Sequence, residues 1–376
     1  MFSQPKGDQP ALQTPRMSLE VYNEQKNVAI QQLRGFFEVV VAPAEAPEKD
    51  DYGDVDILVQ GPKVDFTWHQ VASTLNARRA FHNGDSHSFA IPINDTTYAQ
   101  VDVHICAPSF VEWECFLDSY GDLMQIMGRF LRPLGLTATD KGLHVRIAEI
   151  ESRNRKSSML YLSHSVEDVL GFLGLDIQQY RKGFESLEDL FSWFIGGKFF
   201  HPSAITVNNE SANDRQRMRK RPMFRMFNDE WLPRNADRWG DKQPSPREDI
   251  LCQALACFGR RAEYEEKVAA WNAEKDEEEL WSNIAAVISG EGQRDINIVI
   301  RGLKRWVYFD PEGHPSVRNE AEMDPEQQPC WTSHLRQVGN GAAAGLSKDS
   351  LFEWVCEHWQ EVKGLEKDRI STAKFR

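Results

Sequence analysis

The sequence predicts an α+β chain: a mixed sheet with helices over residues 18–160, then a mainly helical region over 161–376, with residues 1–17 as a disordered tail. Two observations carry that prediction. In the first part, short runs with strand character, FFEVVVA (36–42), DVDILVQ (54–60), HSFAIPI (87–93) and YAQVDVHIC (98–106), are interspersed with helical patterns. Beyond residue 160 the chain is punctuated by helix starts and stops. At 376 residues and 41% apolar content, it is long enough for two domains, each with its own core.

The elements follow in order. Residues 1–17 are rich in Pro, Gln, Ser and Gly, the composition of a mobile segment. SLEVYNEQKNVAIQQL has no Pro or Gly and spreads Val21, Tyr22, Val28, Ile30 and Leu33 as an amphipathic helix does, with Gly35 as its stop. TWHQVASTLNARRAF (67–81) reads as one helix, because Trp68, Val71 and Leu75 stand at helical spacing. Asn94 and Asp95 mark the turn of a hairpin, and GLHVRIA (142–148) reads as the last strand. In DLMQIMGRFLR, Asp122 and Gln125 have the spacing of a capping box, and Leu123, Ile126, Met127 and Phe130 form a stripe that leaves Arg129 and Arg132 peripheral. Ser165, Asp168 and Gly174 bracket one later helix, and Ser186, Asp189 and Gly196 another. Long charged helical patterns occupy 247–289 and 348–363, while 291–345 is weakly patterned. Most of the eleven tryptophans, among them Trp193, Trp281, Trp306, Trp354 and Trp359, take apolar helical positions, and Met218, Met223, Phe224 and Met226 read as core.

Composition excludes several classes. No apolar run approaches 18 residues and the first residues lack the apolar core of a secretory signal, so a cytoplasmic address is expected, with the nucleus open. Six cysteines with no CxxC pair are expected to be free thiols. A net charge of −13 disfavours a chain coated by nucleic acid along its length, although a local basic strip could still hold phosphate.

The chemistry-bearing pattern is GDVDILV. On a strand, Asp54 and Asp56 share one face while Val55, Ile57 and Val59 point to the other. In YAQVDVHIC the same alternation separates Asp102 and His104 from Val101, Val103 and Ile105. If the two strands are neighbours, three carboxylates converge. Their repulsion calls for a cation, and hard oxygen donors favour Mg²⁺ or Mn²⁺. The plain alternative is a set of solvated acids at a strand end. An EF-hand loop counted from Asp50 fails, because Tyr52 and Gly61 stand where ligands are needed. A DxD-type glycosyltransferase is disfavoured because there the apolar strand precedes the acids.

The order GDxDhhh, helix, then a hairpin strand hDh 46 residues after Asp56 resembles the DNA polymerase beta-like nucleotidyltransferase superfamily over residues 35–150. FLDSYGDLMQIMGRFLRPLGLTATDKGLHVRI is similar to a segment of uncharacterised phage and fungal members. The resemblance implies a nucleotidyltransferase-type sheet in which Asp54 and Asp56 bind two metals. Asp102 would complete the metal nearer the acceptor hydroxyl, for in-line attack on an NTP with pyrophosphate leaving. The chain departs from the family pattern in one respect. VVAPAEAPEKDD lacks the Gly-Ser pair that holds the triphosphate, and Pro43 and Pro47 remove backbone donors. Lys49, Gly53, Arg129 and Arg132 are the residues expected to contact the nucleotide instead.

DRQRMRKRPMFR adds a basic run: Arg215, Arg217, Arg219, Lys220, Arg221 and Arg225, without an acid after Asp214. It could contact RNA or another polyanionic acceptor, or be a solvated helix face. Three functions are therefore expected in descending order: a metal-dependent nucleotidyltransferase, an inactive relative that binds nucleotide or RNA as a scaffold, and a DxD-type glycosyltransferase.

Overall fold

The structure is a computed structural model that describes Phe2 and residues 10–203, 221–238, 243–288, 292–310, 312–318, 331–334 and 347–373. A five-stranded sheet is built from β1 (Phe37–Val41), β2 (Asp54–Pro62), β3 (Arg79–Asn83), β4 (Ser86–Pro92) and β5 (Tyr98–Ile105). Its spatial order is β1-β2-β5-β4-β3, with β2 and β5 parallel and every other pair antiparallel. Helices α1 (Leu19–Leu33) and α2 (Trp68–Thr74) supply Tyr22, Ala29, Leu33 and Val71 to the core under one face of this sheet. Against the other face lies α3 (Val111–Asp118), whose buried Trp113 donates from its indole N–H to the Thr139 carbonyl at 2.7 Å.

After α4 (Leu123–Leu131), a second sheet forms from β6 (Leu136–Thr139), β7 (Gly142–Arg146) and β8 (Met159–Ser163), with α5 (Ala148–Glu151) between β7 and β8. Three helices follow: α6 (Val166–Leu173), α7 (Ile177–Lys182) and α8 (Leu187–Ile195). The capping signals of α6 and α8 are realised. Ser165 accepts from the Asp168 N–H at 3.2 Å and Ser186 from the Asp189 N–H at 3.1 Å. Gly174 ends α6 at φ +72°, a left-handed conformation in which a side chain would be strained. The short helices α9 (Pro222–Arg225) and α10 (Leu232–Arg234) flank the wider turn Met226–Trp231, and α11 (Arg247–Cys257) follows.

The chain divides into two compact units, Met1–Tyr264 and Glu265–Arg376. Most of α12 (Arg261–Val287) belongs to the second, with α13 (Gln293–Trp306), the hairpin β9 (Val307–Phe309) and β10 (Pro315–Val317), and α14 (Lys348–Ala373). Trp281, Trp306 and Trp331 are buried in its core, and Trp354 and Trp359 pack against it. The Glu366 carboxylate is fully buried. It accepts from Trp306 Nε1 at 3.1 Å and from two Arg369 nitrogens at 3.0 and 2.8 Å. Arg369 and Trp306 hold its carboxyl below the ordinary range against the opposing effect of burial.

Several sequence expectations are corrected. The helix expected over 67–81 stops at Thr74, and RAFHN (79–83) becomes β3. Pairing with β4 gives this segment a sheet edge that its helix-compatible composition does not announce. GLHVRIA is not the last strand: only GLHVR (142–146) is extended, as the middle strand of the second sheet, and β8 follows it. Asp122 makes no cap hydrogen bond to its own helix. Its carboxylate instead accepts from Arg221 Nη1 at 2.8 Å and from the Phe224 N–H at 3.3 Å, tying α4 to α9. Met226 is exposed, whereas Met223 and Phe224 are buried. Arg215, Arg217, Met218, Arg219 and Lys220 lie outside the described residues. The segment expected as a tail is tied down from Pro10 onward: Met17 and Tyr52 exchange backbone hydrogen bonds at 2.7 and 3.0 Å, and Arg16 pairs with Asp51 at 2.6 Å. The described cysteines, 106, 115, 252, 257 and 356, are free thiols, as expected. No described helix is long and apolar enough to cross a membrane.

The helices α13 and α14 meet at Gly302, where an added Cβ would lie 2.7 Å from Val362 Cγ1 and 3.0 Å from the Val362 carbonyl oxygen. Backbone on one side of that contact cannot yield as a side-chain tip can. Gly302→Ala is expected to destabilise the second unit by about 1–3 kcal/mol, read as a lower denaturant midpoint at unchanged slope. An unchanged midpoint would mean that the two helices do not approach this closely.

Candidate metal centre

The site begins with the pleat of β2. Val55, Ile57 and Val59 are buried to 1% exposure or less on the core face, so Asp54 and Asp56 must project from the other. On β5, the buried Val101 and Val103 impose the same on Asp102 and His104. The parallel pairing is in register, with Asp56 beside Asp102 and Asp54 beside Gln100. As the sequence predicts, all three aspartates meet: one carboxylate oxygen from each lies within 4.8 Å of the others. Gln100 Nε2 donates to Asp102 Oδ2 at 2.8 Å, while Asp102 Oδ1 is buried with no hydrogen-bond partner.

Electrostatics match that crowding. Asp56 is exposed by surface area, yet neighbouring protein withdraws its carboxyl from water, and Asp54, Asp102, Asp118 and Glu45 add negative charge. Its pKa is pushed up to about 7. Burial and Asp102 also raise Asp54, against the opposing charges of Lys49 and Arg16. Among the described residues, no ion pair joins any of the three aspartates to a basic side chain. Hard oxygen donors, one of them buried and unpartnered, and mutual repulsion without a paired cation fit Mg²⁺ or Mn²⁺ held by Asp54, Asp56 and Asp102.

The other expected residues take different positions. Lys49 is paired with Glu45 at 2.5 Å and lies 4.7 Å over the Tyr52 ring, and its charge still reaches Asp54. At Gly53, an added Cβ would lie 3.1 Å from Arg16 Nη1. Arg129 sits on α4 with its guanidinium 5.5 Å from the Phe224 ring centroid, and Arg132 is the exposed C-cap of α4. The structure thus brings Lys49, but neither of these arginines, to the aspartates through the contacts it shows. Of the basic run, Arg221 is described and is engaged by Asp122.

Sequence reasoning missed the contribution of α3. Asp118 adds charge against Asp56, and burial raises its own pKa, opposed by His104. Glu114, one turn earlier, approaches His104 with 3.0 Å between Oε2 and Nε2. The signal was present in VEWECFLD, where Glu114 and Asp118 stand four residues apart on one helix face. Ser119, just past α3, accepts from the Ala44 N–H at 3.0 Å and so fixes the loop before β2.

No protein-family model matches the sequence, and no curated protein matches it. Among solved structures, polymerase beta of Leishmania infantum in a ternary P/T complex is similar at 13% identity and a TM-score of 0.33, over 43% of this chain and 74% of that one.

The raised pKa of Asp56 has two measurable consequences. Below about pH 7 a metal must displace a proton from Asp56. Mn²⁺ affinity measured by calorimetry should therefore be level above pH 7 and fall toward about tenfold per pH unit below it; a level profile from pH 8 to 5.5 would remove Asp56 from the ligand set. For the metal-free fold, a folded pKa above the unfolded one favours folding in acid, and this contribution is lost as pH rises through about 7. Asp56→Asn should accordingly stabilise the metal-free protein at pH 8 by about 1 kcal/mol after solvent screening, with little difference at pH 5. Destabilisation at pH 8 would instead identify a carboxylate satisfied by protein donors.

Proposed function

We propose that this protein is a metal-dependent nucleotidyltransferase that moves a nucleotidyl group from an NTP to an acceptor hydroxyl, with pyrophosphate leaving. The observation that carries the proposal is the convergence of Asp54, Asp56 and Asp102 from two parallel, in-register strands. Supporting it is the motif order GDxDhhh, helix, hDh. When bound, Mg²⁺ or Mn²⁺ would offset the triphosphate charge and acidify the acceptor hydroxyl. Asp54 and Asp56 would hold the metals at the phosphates, and Asp102 would align the acceptor side. Asp102 suits that role because Gln100 fixes one of its oxygens and the other is left open to a new partner. Lys49, whose charge reaches Asp54, would meet a phosphate oxygen by exchanging its pairing with Glu45.

The acceptor we favour is RNA or another polyanion, contacted through Arg215, Arg217, Arg219 and Lys220. The scaffold reading is supported by one specific feature, the loop before β2. Its residues 42–52 contain no glycine, Pro43 and Pro47 cannot donate, and the Ala44 N–H is already committed to Ser119.

Incubating the protein with each labelled NTP, Mg²⁺ or Mn²⁺ and total RNA separates these readings. Transfer or pyrophosphate release is expected, reduced at least about a hundredfold in Asp102→Asn. Metal-dependent NTP binding without turnover would support the scaffold, and absence of both would reject the proposal. For the acceptor, replacing Arg215, Arg217 and Arg219 by Gln should weaken RNA binding and reduce the slope of log K against log salt by about 2–3; equal slopes would leave the run a solvated face.

A further inference from the structure

A second donor cluster of different chemistry lies on the same face of the sheet. His104, Cys106 and Glu114 bring one nitrogen, one sulfur and one carboxylate oxygen within 4.8 Å of one another. We propose that these three side chains form a thiophilic metal site that takes Zn²⁺, separate from the aspartate triad.

Local structure builds the site. β5 ends at Ile105, but the Cys106 N–H still donates to the Val59 carbonyl at 2.8 Å, so extended pairing with β2 continues one residue further. That continuation places Cys106 on the same side of the strand as His104. Glu114 comes down onto both from the middle of α3, with Oε2 3.0 Å from His104 Nε2. Across the sheet Ser86 is the register partner of His104, and its Oγ lies 2.9 Å from His104 Nδ1. In the tautomer that donates Nδ1–H to Ser86, the Nε2 lone pair faces the cluster. A hydrogen bond to the outer ring nitrogen is the support that metal-binding histidines normally have.

The cluster also lacks a permanent cation. The Glu114 side chain is 15% exposed and Cys106 3% exposed. Among the described residues, Glu114 is partnered by His104 and the Cys106 thiol, with no lysine or arginine in reach. A carboxylate so enclosed is costly unless a positive charge accompanies it. A dication bound by thiolate, imidazole and carboxylate would supply that charge. Mixed S, N and O donors select Zn²⁺ over Mg²⁺ or Mn²⁺, and three protein ligands leave one position for water. His104, with 37% of its side chain exposed, gives the ion a path from solvent. Once bound, the ion would fasten α3 to the end of β5 and so hold Asp118 against the triad.

The site does not rest on the nucleotidyltransferase reading, and its test is independent of turnover. Chelator-treated full-length protein is titrated with Co²⁺ as an optical stand-in and with Zn²⁺ by calorimetry, both in excess Mg²⁺. We expect Zn²⁺ binding that survives the Mg²⁺, a raised melting temperature, and a thiolate-to-cobalt charge-transfer band. Cys106→Ser should abolish the band, and His104→Gln, a change nearer the surface, should weaken Zn²⁺ at least about tenfold. Asp56→Asn should keep the band while weakening Mn²⁺ binding. No charge-transfer band, a band unaffected by Cys106→Ser, or Zn²⁺ binding lost in Asp56→Asn but retained in His104→Gln would overturn the proposal. Retained Zn²⁺ binding without any NTP turnover would uphold this site while the proposed activity fails.

Discussion

Three mutually repelling carboxylates are held together by the parallel register of β2 and β5. Neither strand can relieve the repulsion by itself. Sliding either by one residue would turn Val55, Ile57 and Val59, or Val101 and Val103, out of a core in which each is buried to 1% exposure or less. Burial of each such side chain is worth about 1.5–3 kcal/mol. The two or three that a slip of one strand would expose oppose the repulsion among Asp54, Asp56 and Asp102, part of which is avoided by protonating Asp56. The apolar face of the sheet is thus what fixes the chemistry on the opposite face, and the geometry there is as rigid as the core beneath it.

The rest of the first unit is arranged around that acidic face through α3. The helix is anchored by the buried Trp113, whose indole reaches the second sheet at Thr139. Its C-terminal end then does two things. Asp118 deepens the negative potential at Asp56, and Ser119 links the Cys115 carbonyl, 2.6 Å away, to the Ala44 N–H. The loop before β2 contains neither a serine nor, until Gly53, a glycine, so its conformation is set by a hydroxyl contributed from more than seventy residues away. Backbone donors satisfied in this way are rigid but are no longer free to meet an anion.

Much of this was legible in the sequence. Period-two alternation gives β2 and β5 almost to the residue, and with them the face on which each aspartate lies, because alternation is a local property, while β4 is legible from its place across the turn at Asn94 and Asp95. Pairing of β2 with β5 is not local. The sequence leaves it as a condition, with three carboxylates converging if the two strands are neighbours, and the parallel register meets that condition. The failures occurred where tertiary contact overrides local signals. RAFHN becomes an edge strand because β4 offers it a hydrogen-bonding partner, not because of its own propensity. Asp122 has the spacing of a cap, but Arg221 and the Phe224 N–H, about a hundred residues on, compete successfully for its carboxylate. Glu114 and Asp118 were visible as a helix pair, but nothing local said that this face would close over β5.

The two donor sets also make sense together. Asp102, His104 and Cys106 succeed one another along one side of β5 and its extension, so the strand presents a hard oxygen, then an imidazole, then a thiol, at steps of about 6.6 Å. On a given donor set Zn²⁺ generally binds more tightly than Mn²⁺, so a bare carboxylate cluster does not exclude Zn²⁺ by affinity alone. A neighbouring thiol and imidazole change that competition, because they offer Zn²⁺ a donor set that Mg²⁺ binds poorly. On the proposed reading, Zn²⁺ would have a better-matched donor set one step along the strand, while the oxygen-only triad suits the harder cation.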